Sequence, residues 1–297
     1  MTPRYPVYVI SKGRAGRCLT ARFLAKDGVP FRLVVEPQEE AAYRAEFGDR
    51  VAVLPFSNLG QGSIPARNWV MEDSAKIAAR HWILDDNISG LYRRYGGRKI
   101  PCESNVAFRA CEDFVDRYAN VAIAGMAYFM FVPNKKKFPP FFQNVHVYSC
   151  ILVDNGILRD NAIRWRGRYN EDTDLCLQAL SAGFCTVLFN AFLAFKMPTM
   201  TMKGGNSAEL YQGDGRLKMA RALESAWPGV VETRRRFGRA QHVVKDNWKQ
   251  FDQPLVRKAD FDFSKLPARD EYGMRLEQVK DVVKSPTVRR LLEENRR

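Results

Sequence analysis

The stretch Trp82-Ile83-Leu84-Asp85-Asp86-Asn87-Ile88 changes abruptly from apolar to acidic, and it decides the expected fold. Its apolar half predicts a buried strand that ends at two carboxylates and an amide. Oxygen ligands of this kind suit Mg²⁺ or Mn²⁺, ions that often bind a substrate's phosphates. Asp and Asn are also common in turns, so the stretch alone is equally consistent with a plain strand-to-turn junction.

Apolar strands and helical patterns alternate on both sides of this stretch. Before it, strands are predicted at residues 6–10, 31–35 and 51–55, and helices at residues 18–27, 39–47 and 66–80. After it, strands are predicted at residues 121–129, 145–153 and 186–190, and helices at residues 102–118, 172–182 and 209–226. Such strand–helix–strand units form parallel sheets, so we expect an α/β fold whose mainly parallel sheet is flanked by helices.

The chain divides into a large core-forming part and a looser end. Its 297 residues are enough for one large domain, which we expect to occupy residues 1–250. Residues 251–297 are expected to form an extension that packs on this domain and ends in a charged helix from Glu277.

The chain is strongly basic. Lys and Arg number 47 against 33 Asp and Glu, which gives a formal net charge of +14 and a pI of about 9.6. Such an excess favours a polyanionic partner such as nucleic acid, through electrostatic steering and the release of counterions. A phosphate-rich small substrate would account for part of it.

The cysteines and the apolar runs indicate a reducing, aqueous compartment. The 6 cysteines are scattered without Cys-x-x-Cys or zinc-binding spacing, as buried free thiols are. The longest apolar run, residues 121–132, is about half of the ~20 residues that span a bilayer. The apolar residues 6–10 are too few for a signal peptide, so none is expected. We expect a cytoplasmic protein with no membrane partner and no obligate protein partner.

A second acidic cluster, Tyr169-Asn170-Glu171-Asp172-Thr173-Asp174, opens a helical pattern. The helix dipole favours acids in a first turn, so helix stability alone also explains this cluster. In the functional interpretation, one of its carboxylates is a general base that removes the proton of an attacking hydroxyl. The residues alone leave both explanations open.

Basic residues lie where an anionic ligand is expected to bind. The loop Ser11-Lys12-Gly13-Arg14 and Arg17 follow the first strand, at the sheet edge where nucleotides bind in open α/β folds. Arg67 stands near the start of the helix before Asp85, where a cation is disfavoured unless an anion lies nearby. The loop has neither a Walker nor a Gly-x-Gly-x-x-Gly pattern, and a solvated turn and a plain surface arginine stay open as alternatives.

One of the three histidines is a candidate ligand. A structural role is the default for a lone histidine, but His242 follows the last core-like strand in a polar segment, which supports a ligand role as well. His81 and His146 lie beside or within apolar strands, and both are assigned to structure.

Taken in order along the chain, these features resemble the GT-A class of nucleotide-sugar glycosyltransferases over residues 5–250. The resemblance implies that Asp85 and Asp86 serve the donor and a Mn²⁺ or Mg²⁺ ion, with Asn87 in place of the family's further Asp. It also implies that Asp172, beside Glu171, is the base. His242 would complete the metal site, and Arg67 would lie near the sugar nucleotide.

Four segments are similar to the TET-associated glycosyltransferases of bacteriophages, namely residues 8–14, 84–88 and 169–174 and Lys203-Gly204-Gly205-Asn206. That resemblance implies transfer of N-acetylglucosamine or glucose from a UDP-sugar to 5-hydroxymethylcytosine in phage DNA, with inversion. The donor would be held by Ser11, Lys12, Arg14, Arg17, Arg67, Asp85, Lys203, Gly205 and Asn206. The expected location is then the cytoplasm of the host cell.

Two basic segments are candidates for DNA contact. Lys135, Lys136 and Lys137 stand in a loop with several Phe residues, and Arg234 and Arg235 belong to an arginine run. The alternative for the first is a basic loop whose Phe residues anchor it to the core, and the alternative for the second is solvated surface. The protein could also transfer a sugar to an acceptor other than DNA. It could instead be a sugar nucleotidyltransferase that releases pyrophosphate, or bind DNA without catalysis.

Overall fold

One 10-stranded sheet carries the fold, and a 2-stranded hairpin lies apart from it. The computed structural model describes residues 1–57, 59–197, 201, 204 and 214–275. The strands are β1 (Val7–Ile10), β2 (Arg32–Val35), β3 (Val51–Val53), β4 (Arg80–Asp85), β5 (Ile88–Tyr95), β6 (Arg98–Pro101), β7 (Val121–Tyr128), β8 (Phe141–Gln143), β9 (Cys150–Asp154), β10 (Cys185–Lys196), β11 (Val231–Arg236) and β12 (Arg239–Val244). The helices are α1 (Leu19–Lys26), α2 (Glu40–Phe47), α3 (Ile64–Ser74), α4 (Ser104–Val115), α5 (Asn155–Asp160), α6 (Glu171–Ser181) and α7 (Gly215–Ala226).

The sheet is mixed, and its first half is parallel. Its strand order is β3-β2-β1-β4-β9-β7-β10-β5-β6, with β8 paired to β10. The strands β1 to β4 are parallel, β7 and β10 are parallel to each other, and β9 lies antiparallel between β4 and β7. This arrangement confirms the predicted α/β class with a mainly parallel sheet.

Both faces of the sheet are covered, which explains why its central strands read as continuous apolar runs. In β4, Trp82 and Leu84 face one apolar layer and Ile83 faces the other, because successive side chains of a strand point to opposite faces. The first layer includes residues of α1, α2 and α4, and the second includes residues of α3, α5 and α6.

The strand directions bring polar residues to one edge of the sheet. The parallel strands β1, β4, β7 and β10 all end there, so Ser11, Asp85, Tyr128 and Lys196 come together. The antiparallel β9 begins at the same edge, which adds Ser149 from the residue before it. This edge is therefore the candidate site.

The largest departure from the predicted elements is the length of β10. The sequence predicts a strand at residues 186–190, whereas β10 continues to Lys196. Its first half pairs with β8 and its second half with β5, and its register with β7 shifts between Phe189 and Leu193. The extension depends on partners that are distant in sequence.

Several smaller boundaries also differ. The helix predicted at residues 66–80 ends at Ser74, because Arg80 already belongs to β4. The strand predicted at residues 145–153 begins only at Cys150, after the left-handed Ser149 (φ 61°). The hairpins β5–β6 and β11–β12 are absent from the prediction, because their arginine-rich strands lack a regular apolar alternation. Residues 209–213 of the predicted helix lie outside the described residues, and α7 begins at Gly215.

Residues after β12 pack back on the sheet domain. The backbone of Ala119 donates to the carbonyl of Val256 at 2.8 Å, and Arg93 donates to the carbonyls of Tyr272 and Gly273. The predicted helix from Glu277 lies outside the described residues. All 6 cysteines are free, and every one except Cys102 is buried. No helix in the described ranges has the length and hydropathy needed to cross a membrane.

Candidate active site

Asp85, the last residue of β4, is held by two cations. Its Oδ1 accepts a hydrogen bond from Nη2 of Arg67 at 2.9 Å, and its Oδ2 accepts one from Nζ of Lys196 at 2.7 Å. The Ser149 hydroxyl also donates to Oδ2, at 2.6 Å. Burial raises the pKa of Asp85, but the charges of Lys196 and Arg67 outweigh that effect and hold the pKa well below its ordinary value.

Asp86 points to a different set of partners, because successive residues turn their side chains apart. Its Oδ1 accepts from the Arg14 guanidinium, and its Oδ2 accepts from the Ser11 hydroxyl at 2.7 Å. The hydroxyls of Ser11 and Tyr43 are also hydrogen-bonded, at 2.7 Å. Burial raises the pKa of Asp86, and the charge of Arg14 only partly opposes this.

The predicted basic loop is thus divided in two. Ser11 and Arg14 face Asp86, and Arg14 also donates to the carbonyl of Gly204 at 3.2 Å. Lys12 instead pairs with Glu36 at 2.7 Å, and Arg17 is exposed. The remaining donor candidates Lys203, Gly205 and Asn206 lie outside the described residues.

Arg67 joins the two acidic clusters. It is 4% exposed, its Nη2 bonds Asp85, and its Nε lies 3.5 Å from Oε1 of Glu171. The guanidinium also lies over the ring of Trp165, at 4.6 Å from the ring centroid. Its buried Nη1 has no hydrogen-bond partner among the described residues. A buried donor without a partner is costly, so it is suited to an anionic or polar substrate group.

Asp172, in the first turn of α6, lies beside two histidines. Its Oδ1 is 3.3 Å from Nε2 of His146 and accepts from the backbone of Thr173 at 2.8 Å. The Thr173 hydroxyl lies 3.1 Å from Nε2 of His146 and 3.4 Å from Nε2 of His242. Trp248 stacks on His146 with an angle of 8° between the rings.

Neighbouring carboxylates in this cluster have pKa values that are shifted in opposite directions. Burial raises the pKa of Asp172, but the adjacent His146 and the charge of Arg67 together outweigh it, and the net shift is downward. Burial, with the Asp172 charge beside it, raises the pKa of Glu171 against the opposing charge of Arg67. Pairs of this kind separate an ionised base from a more readily protonated partner. Burial lowers the pKa of His242 to about 4, so at neutral pH its imidazole is uncharged.

The four predicted metal ligands are not brought together. His242 contacts Thr173 beside Asp172, whereas Asp85 and Asp86 each have cationic side chains as partners. Asn87 has a buried Oδ1 without a hydrogen-bond partner among the described residues, but it stands alone. No three His, Cys, Asp or Glu residues in the described part of the chain form a cluster that could hold a metal ion. This donor set does not fit a divalent ion bound by all four residues.

Sequence reasoning missed four contributors to the site. Lys196 ends an apolar run that the sequence predicts to stop earlier, and Ser149 and Tyr128 hydrogen-bond both to it and to each other. His146 was assigned to structure, yet it lies against Asp172. The only signal for Lys196 is a single cation after a long apolar stretch.

The predicted DNA-contact residues are on the surface. Lys135, Lys136 and Lys137 are exposed in the loop between β7 and β8. Arg234 and Arg235 are exposed on β11, where Arg234 pairs with Glu232 at 2.5 Å. A groove of about 1870 Å³ is lined by Lys136 and Lys137, by Arg236 next to Arg235, and by His146, His242 and Trp248. The basic segments and the Asp172 cluster therefore border one open space.

The fold and the site define an α/β enzyme with paired carboxylates and buried cations at the ends of its strands. A family model described as TET-Associated Glycosyltransferase matches residues 5–205, which is more than half of the chain. The chain belongs to this family, as the sequence motifs indicate, and it is a glycosyltransferase.

More distant likenesses exist among solved structures. A protein described as a nucleotide-diphospho-sugar transferase from Desulfovibrio desulfuricans is 12% identical, with a TM-score of 0.33 over 62% of this chain and 79% of that one. A mannose-1-phosphate geranyltransferase from Thermus thermophilus is 14% identical, with a TM-score of 0.28 over 77% of this chain and 64% of that one. Likenesses this distant carry no argument about function. A search of curated protein sequences gives no match.

Proposed function

We propose that the protein transfers a sugar, N-acetylglucosamine or glucose, from a UDP-sugar to the hydroxymethyl oxygen of 5-hydroxymethylcytosine in phage DNA. One observation carries the proposal: Arg67 contacts both Asp85 and Glu171, so a strand-end cluster and a carboxylate pair share one site. Family membership supports sugar transfer, and the net charge of +14 favours a DNA acceptor.

The donor is assigned to the strand-end side of the site. Ser11 and Arg14 of the first loop, Asp85, and Nη1 of Arg67, which has no partner among the described residues, are assigned to the region where a diphosphate is expected in an open α/β sheet. UDP departs with an additional negative charge, and fixed cations near it stabilise that charge. Lys12, Arg17, Lys203, Gly205 and Asn206 remain proposed donor contacts.

The acceptor is assigned to the Asp172 side. Because the pKa of Asp172 is lowered by His146, its carboxylate is ionised at neutral pH and able to accept a proton. The hydroxymethyl oxygen attacks the anomeric carbon, its proton passes to Asp172, and the bond to UDP breaks with the electron pair leaving on the phosphate. Attack opposite the leaving group inverts the anomeric centre.

No step of this mechanism passes through a divalent ion, because the proposed ligands Asp85, Asp86, Asn87 and His242 are divided between two clusters. The cations beside Asp85 and Asp86 are instead side chains of the protein itself, namely Arg14, Arg67 and Lys196.

Mass spectrometry of nucleosides tests the proposal. Duplex DNA containing 5-hydroxymethylcytosine is incubated with the protein and a panel of UDP-sugars, with Mn²⁺ in one series and EDTA in the other. A hexose or N-acetylhexosamine mass on that nucleoside, absent with Asp172→Asn, is the expected result.

Other outcomes assign the protein elsewhere. UDP-sugar hydrolysis without transfer to DNA would keep the glycosyltransferase and reject this acceptor. Release of pyrophosphate from UTP and a sugar phosphate would instead identify a nucleotidyltransferase. Transfer that occurs with Mn²⁺ and is lost with EDTA would show that the reaction requires a divalent ion.

A further inference from the structure

The hairpin formed by β11 and β12 ends in an exposed aromatic residue. Its turn consists of Phe237 and Gly238, both with left-handed backbones (φ 50° and 74°), between the paired residues Arg236 and Arg239. Two-residue turns of this type favour Asn or Asp followed by Gly. Phe237 is 89% exposed, more than any other large apolar side chain in the described ranges. A bulky apolar residue therefore stands where both solvation and backbone geometry disfavour it.

The aromatic tip is surrounded by positive charge. Arginines occupy positions 234, 235, 236 and 239, and Glu232 is the one acid in residues 231–244. Arg235 and Arg239 are exposed, and Arg235 donates to the carbonyl of Gly238 at 3.5 Å. An aromatic ring between arginines suits a polyanion that also presents flat, apolar rings, which is the chemistry of nucleic acid.

The other end of the hairpin is fixed at the candidate site. His242 of β12 pairs in register with Thr233, and its Nε2 lies 3.4 Å from the hydroxyl of Thr173, next to Asp172. Val231 and Val244 are buried in a small core with Leu177 of α6 and Leu223 of α7. His242 is about four residues from Gly238, so the tip extends about 13 Å from the site.

A DNA duplex can accommodate a hairpin of this kind. A two-stranded ribbon fits the major groove, which is also where the 5-position of cytosine is presented. Apolar side chains that enter between bases unstack them, while arginines beside them contact phosphates. A distance of about 13 Å corresponds to about four base pairs at 3.4 Å per step.

We propose that the hairpin enters the duplex acceptor and that Phe237 stacks against bases about four pairs from the cytosine positioned at Asp172. This inference rests on the proposed function, because it takes DNA as the acceptor. Stacking at the tip and phosphate contacts by Arg235 and Arg239 hold the duplex while the hydroxymethyl group reaches the carboxylate.

The test combines fluorescence with kinetics on one set of duplexes. Each duplex carries one 5-hydroxymethylcytosine, with 2-aminopurine placed between one and six pairs away, since this base brightens when unstacked. Phe237→Asn removes the ring and suits the turn, so it preserves the hairpin. Ile77→Ala is the matched control, because Ile77 is 66% exposed before β4, at the opposite edge of the sheet.

The expected result is a fluorescence rise with wild type and Ile77→Ala, largest about four pairs away, that is lost with Phe237→Asn. We also expect Phe237→Asn to raise KM for the duplex about tenfold, with kcat on a short single-stranded acceptor unchanged. The inference is overturned if Phe237→Asn leaves the fluorescence rise or the KM for the duplex unchanged. It is also overturned if the Phe237 ring of the wild-type protein stacks only with single strands.

The two proposals fail in different ways. A Phe237-dependent rise without any sugar transfer would reject the proposed function and leave the hairpin's role in DNA binding intact. Sugar transfer to duplex DNA that is insensitive to Phe237→Asn would keep the function and reject the hairpin's role.

Discussion

Nζ of Lys196 lies 2.7 Å from Oδ2 of Asp85, at the point where the ends of β10 and β4 meet. The same ammonium donates to the hydroxyls of Tyr128 and Ser149, at 2.9 and 2.7 Å. Lys196 therefore links the ends of β10, β4 and β7 to Ser149, the residue before β9. This pair keeps Asp85 ionised despite its burial.

Replacing Lys196 with Met is expected to destabilise the protein by about 3 kcal/mol, because it leaves a buried carboxylate with Arg67 as its remaining cation. Urea unfolding monitored by tryptophan fluorescence measures the change. Lys265→Met is the control, since Lys265 is 83% exposed in its pair with Asp262 and its removal should have no measurable effect. Adding Asp85→Asn to Lys196→Met should recover part of the loss, and a further additive loss would contradict the pairing.

Stability should fall as the pH is lowered from about 6.5 to 4, because His81 is buried in the neutral form. Burial lowers its pKa from 6.5 to about 4, while Nδ1 is hydrogen-bonded to Ser74 and Asn155. A lowered histidine pKa means that the unfolded chain binds the proton first, so the stability present above pH 6.5 is lost as pH falls toward 4. The loss attributable to His81 is about 3 kcal/mol.

Unfolding titrations at pH 7 and pH 4.5 measure this loss. His81→Gln should reduce the difference between the two pH values, even though it lowers stability at pH 7. Arg159→Gln, on the exposed end of α5, should leave the difference unchanged. A difference that is the same in wild type and His81→Gln is inconsistent with the assignment.

Asp172→Asn is expected to reduce sugar transfer about a thousandfold, because it removes the proposed base and retains the side chain's shape. UDP-sugar binding and DNA binding should be unchanged. Since the pKa of Asp172 is lowered, its protonation should affect kcat/KM only on the acid side of its ordinary range. A pH–rate profile and calorimetric binding separate these effects, and an equal loss of DNA affinity would assign Asp172 to binding.

Phe237→Asn should raise the free energy of unfolding by about 1 kcal/mol, because Asn accepts the left-handed backbone at φ 50° more readily than Phe. Phe131→Asn provides the comparison. Phe131 is 64% exposed but has no left-handed backbone, so its replacement should not stabilise the protein. Thermal unfolding distinguishes the two, and stabilisation by both would point to exposure alone as the cause.

Gly125→Ala should destabilise the protein by about 2–3 kcal/mol, because β7 and β9 approach closely at this position. An added Cβ would lie 2.5 Å from Cγ1 of Val147 and closer still to the carbonyl oxygen of Cys150. Gly90→Ala is the control, since its nearest neighbour would be 4.0 Å away. Denaturant unfolding of the two variants side by side tests the prediction.

Local sequence patterns predicted each strand and helix up to Asp85, although α3 ends at Ser74 and not at residue 80. The apolar run that ends at Asp85 and the acidic start of α6 are short-range features, and each lies where the pattern indicates. Composition and periodicity could not reveal that Arg67 would join the two clusters. That contact depends on the order of the strands, which no single segment encodes.

The missed residues have long-range causes. Lys196 reaches Asp85 only because β5 and β7 extend β10 beyond Asn190. His146 approaches Asp172 because the chain turns at Ser149 before β9 begins. The β11–β12 hairpin was missed because its exposed arginines hide the alternation that marks a strand.

The shared contacts of Arg67 also limit how this enzyme can diverge. One guanidinium balances Asp85 on one side and Glu171 on the other, so a substitution in either acid changes the charge balance of both. A chimera that joined residues 1–100 of one relative to the remainder of another would inherit the arginine and Glu171 from different parents. A chimera that preserves this charge balance therefore takes Asp85, Arg67 and Glu171 from the same parent.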